Sequence, residues 1–274
     1  MFGVRTVEGG GGVRLLVTEG GNPGGPPIIF LHGFSQTALA WLAQFEDPRL
    51  APYHLLAPDL RGHGASDKPR DAYGDGRLWA DDVAAVLGLA GGRPAVLVGW
   101  SYGGLVIADY LRHRGPAAVR GVVLVGAVLD IGTPDSLDLL HPDFRALTRG
   151  FFAVDAETSV GALAALARLM FAAPPDAATF YRLLGAAVSA PPHVRRALFV
   201  RTQDNDDVWR ALRRPVLIVH GEADRVVVPA AADRHAARLA AVTVRRYPGV
   251  GHAPFLEAAD RFNRDLAGWI ESLP

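Results

Sequence analysis

Cysteine is absent from all 274 residues, which removes disulfides, thiolate metal sites and a cysteine nucleophile at once. Lysine is almost absent too: Lys68 stands alone, and arginine supplies nearly all the positive charge. Abundant alanine and glycine accompany it, a pattern that points to GC-rich coding rather than to phosphate binding. There is no net charge, since 28 basic residues balance 28 acidic ones, so nothing electrostatic favours nucleic acid or an anionic membrane as a partner. No stretch reaches the roughly 20 apolar residues of a membrane span, and Met1 to Gly12 holds no apolar core of signal-peptide length. A soluble, cytoplasmic protein is the expectation. What is present is apolar material, 50% of the chain, enough to give a chain of this length one large α/β domain or a domain carrying a sizeable insertion.

The chain is organised around Val96-Leu97-Val98-Gly99-Trp100-Ser101-Tyr102-Gly103-Gly104. An apolar run meets a serine between two glycines, and helical spacing begins at once, so the segment reads as strand, sharp turn, helix. Glycines beside the turn relieve the crowding of a strand that reverses into a helix. Ser101 is thereby held in the open at the amino end of a helix, whose dipole favours developing negative charge, and is the candidate nucleophile.

Other short apolar runs surround it. Phe2–Val7 and Val13–Thr18 bracket four glycines and read as an edge hairpin. Ile28–Leu31 is a buried strand leading into His32-Gly33-Phe34-Ser35, a loop of the kind that supplies one backbone N–H to an oxyanion hole, here that of Phe34; the second donor is the amide of Tyr102. His54–Ala57 precedes a polar loop in which Asp59, Arg61, His63 and Asp67 are expected mainly to bond one another and the loop backbone. Leu78–Leu89 has helical spacing, with Asp81 and Asp82 in the early turns where acidic groups suit the dipole. Gly121–Ala127 and Pro215–Val219 are continuously apolar, as strands covered on both faces are. Strands alternating with helices predict an open, mostly parallel sheet with sites beyond the strands' carboxyl ends.

Residues 131–210 break this rhythm with Pro-containing punctuation between helical stretches such as Ser159–Phe171 and Ala177–Val188. They read as a helical cap inserted into a core made of residues 1–130 and 211–274. Among the cap's apolar residues Phe151, Phe152, Leu166, Met170, Phe171, Phe180 and Tyr181, the candidates for lining a substrate pocket are Phe152, Met170, Phe171 and Phe180.

A serine hydroxyl needs an imidazole to take its proton and a carboxylate to orient the imidazole. His252 lies in the glycine-lined loop behind the last strand, Val242–Tyr247, and is the candidate base; His32 and His220 read as ring groups that orient backbone. Asp224 follows the strand at 215–219 and is favoured as the acid by its setting, His-Gly-Glu-Ala-Asp-Arg-Val-Val. Asp130, behind the strand at 121–127, is its rival. Glu222 requires a different loop path.

Gly99-Trp100-Ser101-Tyr102-Gly103, His32-Gly33-Phe34, Asp59-Leu60-Arg61-Gly62-His63-Gly64-Ala65-Ser66-Asp67, Gly221-Glu222-Ala223-Asp224 and Gly251-His252 together resemble the α/β-hydrolase superfamily from about residue 13 to the end. The resemblance implies a carboxylic-ester hydrolase with a covalent acyl-enzyme on Ser101, acting on a small-molecule ester or lactone without metal or organic cofactor. It is nearest to the branch of small bacterial esterases, haloperoxidase-like perhydrolases and lactonases. Epoxide hydrolases and haloalkane dehalogenases share the architecture but use an aspartate nucleophile. Perhydrolysis at the same site is the alternative activity, and a non-catalytic binding protein of this fold the alternative class.

Overall fold

The protein, described here from a computed structural model, is defined for residues 2–274; Met1 lies outside the described residues. Eight strands form one open sheet: β1 (Gly3–Glu8), β2 (Arg14–Gly21), β3 (Pro27–Leu31), β4 (His54–Pro58), β5 (Ala95–Trp100), β6 (Val119–Val125), β7 (Val216–Gly221) and β8 (Val242–Tyr247). Their spatial order is β1-β2-β4-β3-β5-β6-β7-β8. The β1–β2 hairpin and the β2–β4 pair are antiparallel; every pair from β4 onward is parallel. β3, β4, β5 and β7 are buried at every position, which explains why their sequences are apolar apart from His54 and His220. β1 is exposed almost throughout, as an edge strand is.

Among the described residues twelve α-helices accompany the sheet: α1 (Leu42–Phe45), α2 (Gly76–Leu89), α3 (Gly103–Arg114), α4 (Pro134–Asp138), α5 (Pro142–Phe151), α6 (Ala156–Leu169), α7 (Ala177–Ser189), α8 (Pro192–Phe199), α9 (Asp206–Ala211), α10 (Ala231–Ala236), α11 (Pro254–Glu257) and α12 (Ala259–Glu271). Between β6 and β7 the regular elements are the six helices α4 to α9, joined by irregular segments, two of which pair at Ile131 and Gln203. The prolines that read as punctuation there are starts rather than stops: Pro134, Pro142 and Pro192 each open a helix, where the missing N–H is one that needs no helical partner. Asp155 and Asp176 cap α6 and α7 by accepting from the Thr158 and Thr179 amides.

The loop behind β4 departs from expectation. Its side chains do bond the loop backbone, Asp59 accepting from the Ala65 amide and His63 Nδ1–H donating to the Arg61 carbonyl, but they do not bond one another: Asp59 also accepts from the Ala38 amide and Asp67 from that of Arg14. Arg61, fully buried, forms a fork onto both carboxylate oxygens of Asp82 at 2.6 and 2.7 Å. Asp82 is therefore a buried ion-pair partner, not a surface acid tuned to a helix dipole. The pair locks α2 to the loop and so fixes one wall beside the carboxyl edge of β4.

Candidate active site

Ser101 turns the chain between β5 and α3 with φ at +52°, a conformation that costs a non-glycine residue on the order of 1–3 kcal/mol. The surroundings enforce it. The Ser101 amide donates to the Val125 carbonyl and its own carbonyl accepts from Val128, each at 3.0 Å. A Cβ on Gly103 would stand 2.4 Å from the Leu31 carbonyl oxygen, so only glycine lets α3 start this close to β3.

The loop after β3 lies directly against the serine, since a Cβ on Gly33 would be 3.1 Å from that of Ser101. Ser35 has φ of +53°, and its amide donates to Nε2 of His63 at 3.3 Å. His32 braces the same loop from the other side: its Nδ1–H donates to the Gly33 carbonyl at 2.8 Å while its Nε2 accepts from the Leu60 amide at 2.9 Å. His63 Nδ1–H in turn donates to the Arg61 carbonyl at 3.0 Å, so both imidazoles serve as neutral donor–acceptors that orient backbone, the role expected of His32. The amides of Phe34 and Tyr102 donate to no protein acceptor among the described residues.

Burial pushes the His32 and His63 pKa values down from 6.5 to about 4 and about 3. An unfolded chain takes up these protons near pH 6.5, whereas the folded one resists until far lower pH. The stability they contribute is complete above pH 6.5 and is lost as pH falls toward 4. The slope is about 1.4 kcal/mol per pH unit for each ring. Urea unfolding at pH 7 and pH 5 is expected to show a loss of about 4 kcal/mol from this pair, and a His63→Gln variant to show a shallower loss.

Asp224, Gly126 and His252 come together beyond the ends of β6, β7 and β8. The Asp224 Oδ1 accepts from the Val226 and Val227 amides at 2.8 and 3.0 Å. Its Oδ2 accepts from Nδ1 of His252 at 2.8 Å and lies 3.2 Å from Nε2 of His220. Burial alone would raise this carboxyl; the facing His252 ring and the converging donors more than offset it and hold Asp224 well below the usual carboxylate range. Gly126 makes the room: it has φ of +47°, and a Cβ there would stand 3.0 Å from Nδ1 of His252 and 3.2 Å from Oδ2 of Asp224. The His252 carbonyl accepts from the Trp100 indole at 2.9 Å, fastening the histidine loop to the residue before the serine. No hydrogen bond joins the Ser101 hydroxyl to His252 Nε2, and the protein seals neither atom away from open space. Apo catalytic contacts of this kind commonly tighten only around substrate.

Asp130, the rival carboxylate, forms an ion pair with Arg238 and accepts from the Asn205 amide at 2.8 Å. It does not contact His252. Glu222 is exposed at the surface.

Ser101 opens onto a cavity of about 410 Å³. The wall is mainly aromatic and aliphatic, with Phe34, Phe144, Phe152, Phe199, Leu137, Leu140, Val226 and Val227, and Asp130, Ser136, Arg145 and Thr148 add polar groups to it. Phe199 organises it, meeting Phe34 edge-on at 4.9 Å and Phe152 at 5.2 Å. Of the expected pocket residues only Phe152 is in this wall. Met170 and Phe171 instead carry the histidine loop, the Met170 carbonyl accepting from the His252 amide at 2.8 Å. Phe180 lies beneath the Arg168 guanidinium, 4.3 Å from its ring centre, on the outer helices. Helical spacing marks which residues are inward but not whether inward means cavity or neighbouring helix. Gly126, His220, Phe144 and Phe199 are the additions that the folded chain makes to the list.

Among the described residues no helix is long and apolar enough to cross a membrane, and no cluster of side chains is arranged to hold a metal ion. The chain is 32% identical to a non-heme chloroperoxidase of Streptomyces lividans over 97% of its own length and 99% of that protein's. It is 29% identical to a bifunctional esterase/perhydrolase of Acinetobacter calcoaceticus, with 95% of this chain and 97% of that one covered. The crystal structure of an esterase from Rhodococcus sp. ECU1013 superposes with a TM-score of 0.92, at 37% identity and 99% coverage of both chains. Residues 28–265 match the family model described as the Alpha/beta hydrolase family, and this protein belongs to that family.

Proposed function

We propose that the protein is a carboxylic-ester hydrolase that works through an acyl-enzyme on Ser101. The observation that carries this reading is a strained serine facing an apolar cavity, with an imidazole on the loop fastened to the residue before it, whose Nδ1 is tied to a buried, ionised carboxylate. With Nδ1–H of His252 held by Asp224, the lone pair on Nε2 is free to take the Ser101 proton as Oγ attacks the ester carbonyl. The carbonyl oxygen becomes an oxyanion between the unengaged amides of Phe34 and Tyr102, at the amino end of α3. His252 then returns the proton to the departing alcohol. Water enters, loses a proton to Nε2 and releases the acid, restoring Ser101. Nothing in these steps calls for a metal or an organic cofactor.

Residues 131–210 act as the cap over this site. The apolar wall from α4, α5 and α8 suits a small to medium apolar acyl group. A panel of p-nitrophenyl esters and lactones of graded acyl length tests the reading: turnover is expected with an initial burst of nitrophenol, and failure to turn over any member contradicts it. Perhydrolysis is a second reading, favoured by the named activity of the Acinetobacter relative; peroxide would attack the same acyl-enzyme in place of water. Absence of peracid at saturating peroxide removes it.

The acid assignment has its own check. Asp224→Asn is expected to lower kcat by about 10⁴-fold, because the amide no longer fixes the correct tautomer. Asp130→Asn, which breaks only the Arg238 pair, is expected to cost less than about tenfold. Steady-state kinetics on both variants decide it, and the reverse order would make Asp130 the acid.

A further inference from the structure

The segment that leaves the helical region, residues 201–205, runs extended toward the sheet, and burial alternates along it: Arg201 and Asn205 are buried, Gln203 half-buried, Thr202 and Asp204 exposed. All three inward side chains bind the core. Asn205 donates to the Leu129 carbonyl at 2.7 Å, and Gln203 donates to Asp109 Oδ1 at 2.6 Å. The Gln203 backbone also pairs in both directions with Ile131 on the entering segment, at 2.8 and 3.0 Å. The two stalks of the insertion are thus joined to each other and anchored below.

Arg201 goes furthest in. Its Nη2 meets Asp109 Oδ2 on α3 at 2.7 Å, and its Nη1 donates to the Tyr102 hydroxyl at 3.0 Å. The guanidinium lies over the Trp79 ring of α2 at 5.2 Å. Burial raises the Tyr102 phenol to about 12, so it remains a neutral acceptor at any working pH. The Arg201 Nε has no partner. The guanidinium is therefore oriented by Tyr102 and Asp109 at the expense of one donor. A buried ion pair contributes little stability beyond what apolar packing would supply; what this one adds is direction.

We propose that Arg201 is a positioning residue. By holding the far end of the Tyr102 side chain, it couples the seating of the helical insertion to the direction of the Tyr102 amide, so that the oxyanion hole is complete only when the exit stalk is docked. The proposal rests on the ester-hydrolase reading above. The peptide between Ser101 and Tyr102 follows a strained residue, and its N–H has no protein acceptor to steady it. The Ser101 carbonyl of the same planar peptide accepts from the Gly104 and Val128 amides, each at 3.0 Å; the anchored phenol adds a second restraint from the Tyr102 side, because its hydrogen bond to Arg201 holds the two rotatable side-chain bonds, Cα–Cβ and Cβ–Cγ, in one setting.

Replacing Arg201 with an apolar residue would strand Asp109 as a buried charge and risks unfolding, so the test uses Tyr102→Phe, Arg201→Lys and the double variant, with melting temperature recorded for each. In Tyr102→Phe, kcat for a p-nitrophenyl ester is expected to fall about tenfold with KM within about twofold. The inhibition constant of a short alkylboronic acid, whose tetrahedral adduct on Ser101 places an oxygen between the two amides, is expected to rise about tenfold. A merely structural defect would not single out the tetrahedral ligand. Arg201→Lys is expected to reproduce the loss, and to add nothing in the Tyr102→Phe background. Unchanged kcat and boronate binding in Tyr102→Phe, or losses that multiply in the double variant, would overturn the proposal while leaving the hydrolase reading intact. A wild-type protein that bound no boronate and kept its turnover in Ser101→Ala would remove both readings together.

Discussion

Ser101→Ala lowers kcat for a p-nitrophenyl ester by about 10⁵- to 10⁶-fold and leaves KM within severalfold of wild type. The alanine keeps the elbow, because the backbone contacts of residue 101 to Val125 and Val128 do not involve the hydroxyl. What disappears is the hydroxyl on which the proposed mechanism builds the acyl-enzyme. The two amides still polarise a bound carbonyl, so a residual rate about 10³-fold above that of water is expected from binding and charge stabilisation alone. Steady-state kinetics together with loss of fluorophosphonate labelling check this. Retention of more than a hundredth of wild-type turnover would mean that another residue carries the chemistry.

His252→Ala produces a loss of similar size. Without the imidazole, no group takes the Ser101 proton or returns it to the leaving alcohol, and Asp224 is left as a buried carboxylate deprived of its 2.8 Å donor. In the proposed mechanism Ser101 and His252 act as one unit, so the double variant is expected to be no slower than either single one. Multiplying losses would instead show two independent contributions, a result incompatible with proton transfer between these groups. Since the imidazole also fills space beside Trp100, with ring centres 5.6 Å apart, His252→Gln serves as a companion that preserves more of the packing.

The sequence carried most of this site for a definite physical reason. Ser101, Phe34 and Asp224 follow largely apolar strands buried at every position, and His252 follows the more polar edge strand β8; all four strands are parallel, and parallel strands deliver the residues behind them to one edge of the sheet. Local pattern therefore becomes tertiary position with little further information. Asp59 and Asp82 show where that ends. Both are acidic residues in recognisable settings, yet Asp82 answers an arginine 21 positions away and Asp59 answers the Ala38 amide; neither partner is marked by spacing. The cavity wall was less legible still. Phe144 and Phe199 face it, whereas Met170, Phe171 and Phe180 do not, because the burial of a helical residue has no sign that separates a cavity from an adjacent helix. Arg201 was invisible for the same reason, its partners lying 92 and 99 residues away.

The decisive measurement is rapid acid quench of the enzyme during turnover of p-nitrophenyl butyrate, followed by peptide mapping by mass spectrometry. One butyryl group is expected on the peptide that contains Ser101, accumulating in step with the nitrophenol burst and absent from Ser101→Ala. A butyryl group on any other residue that forms and decays at the rate of turnover, or rapid turnover with no acylated peptide and no burst, would contradict the account.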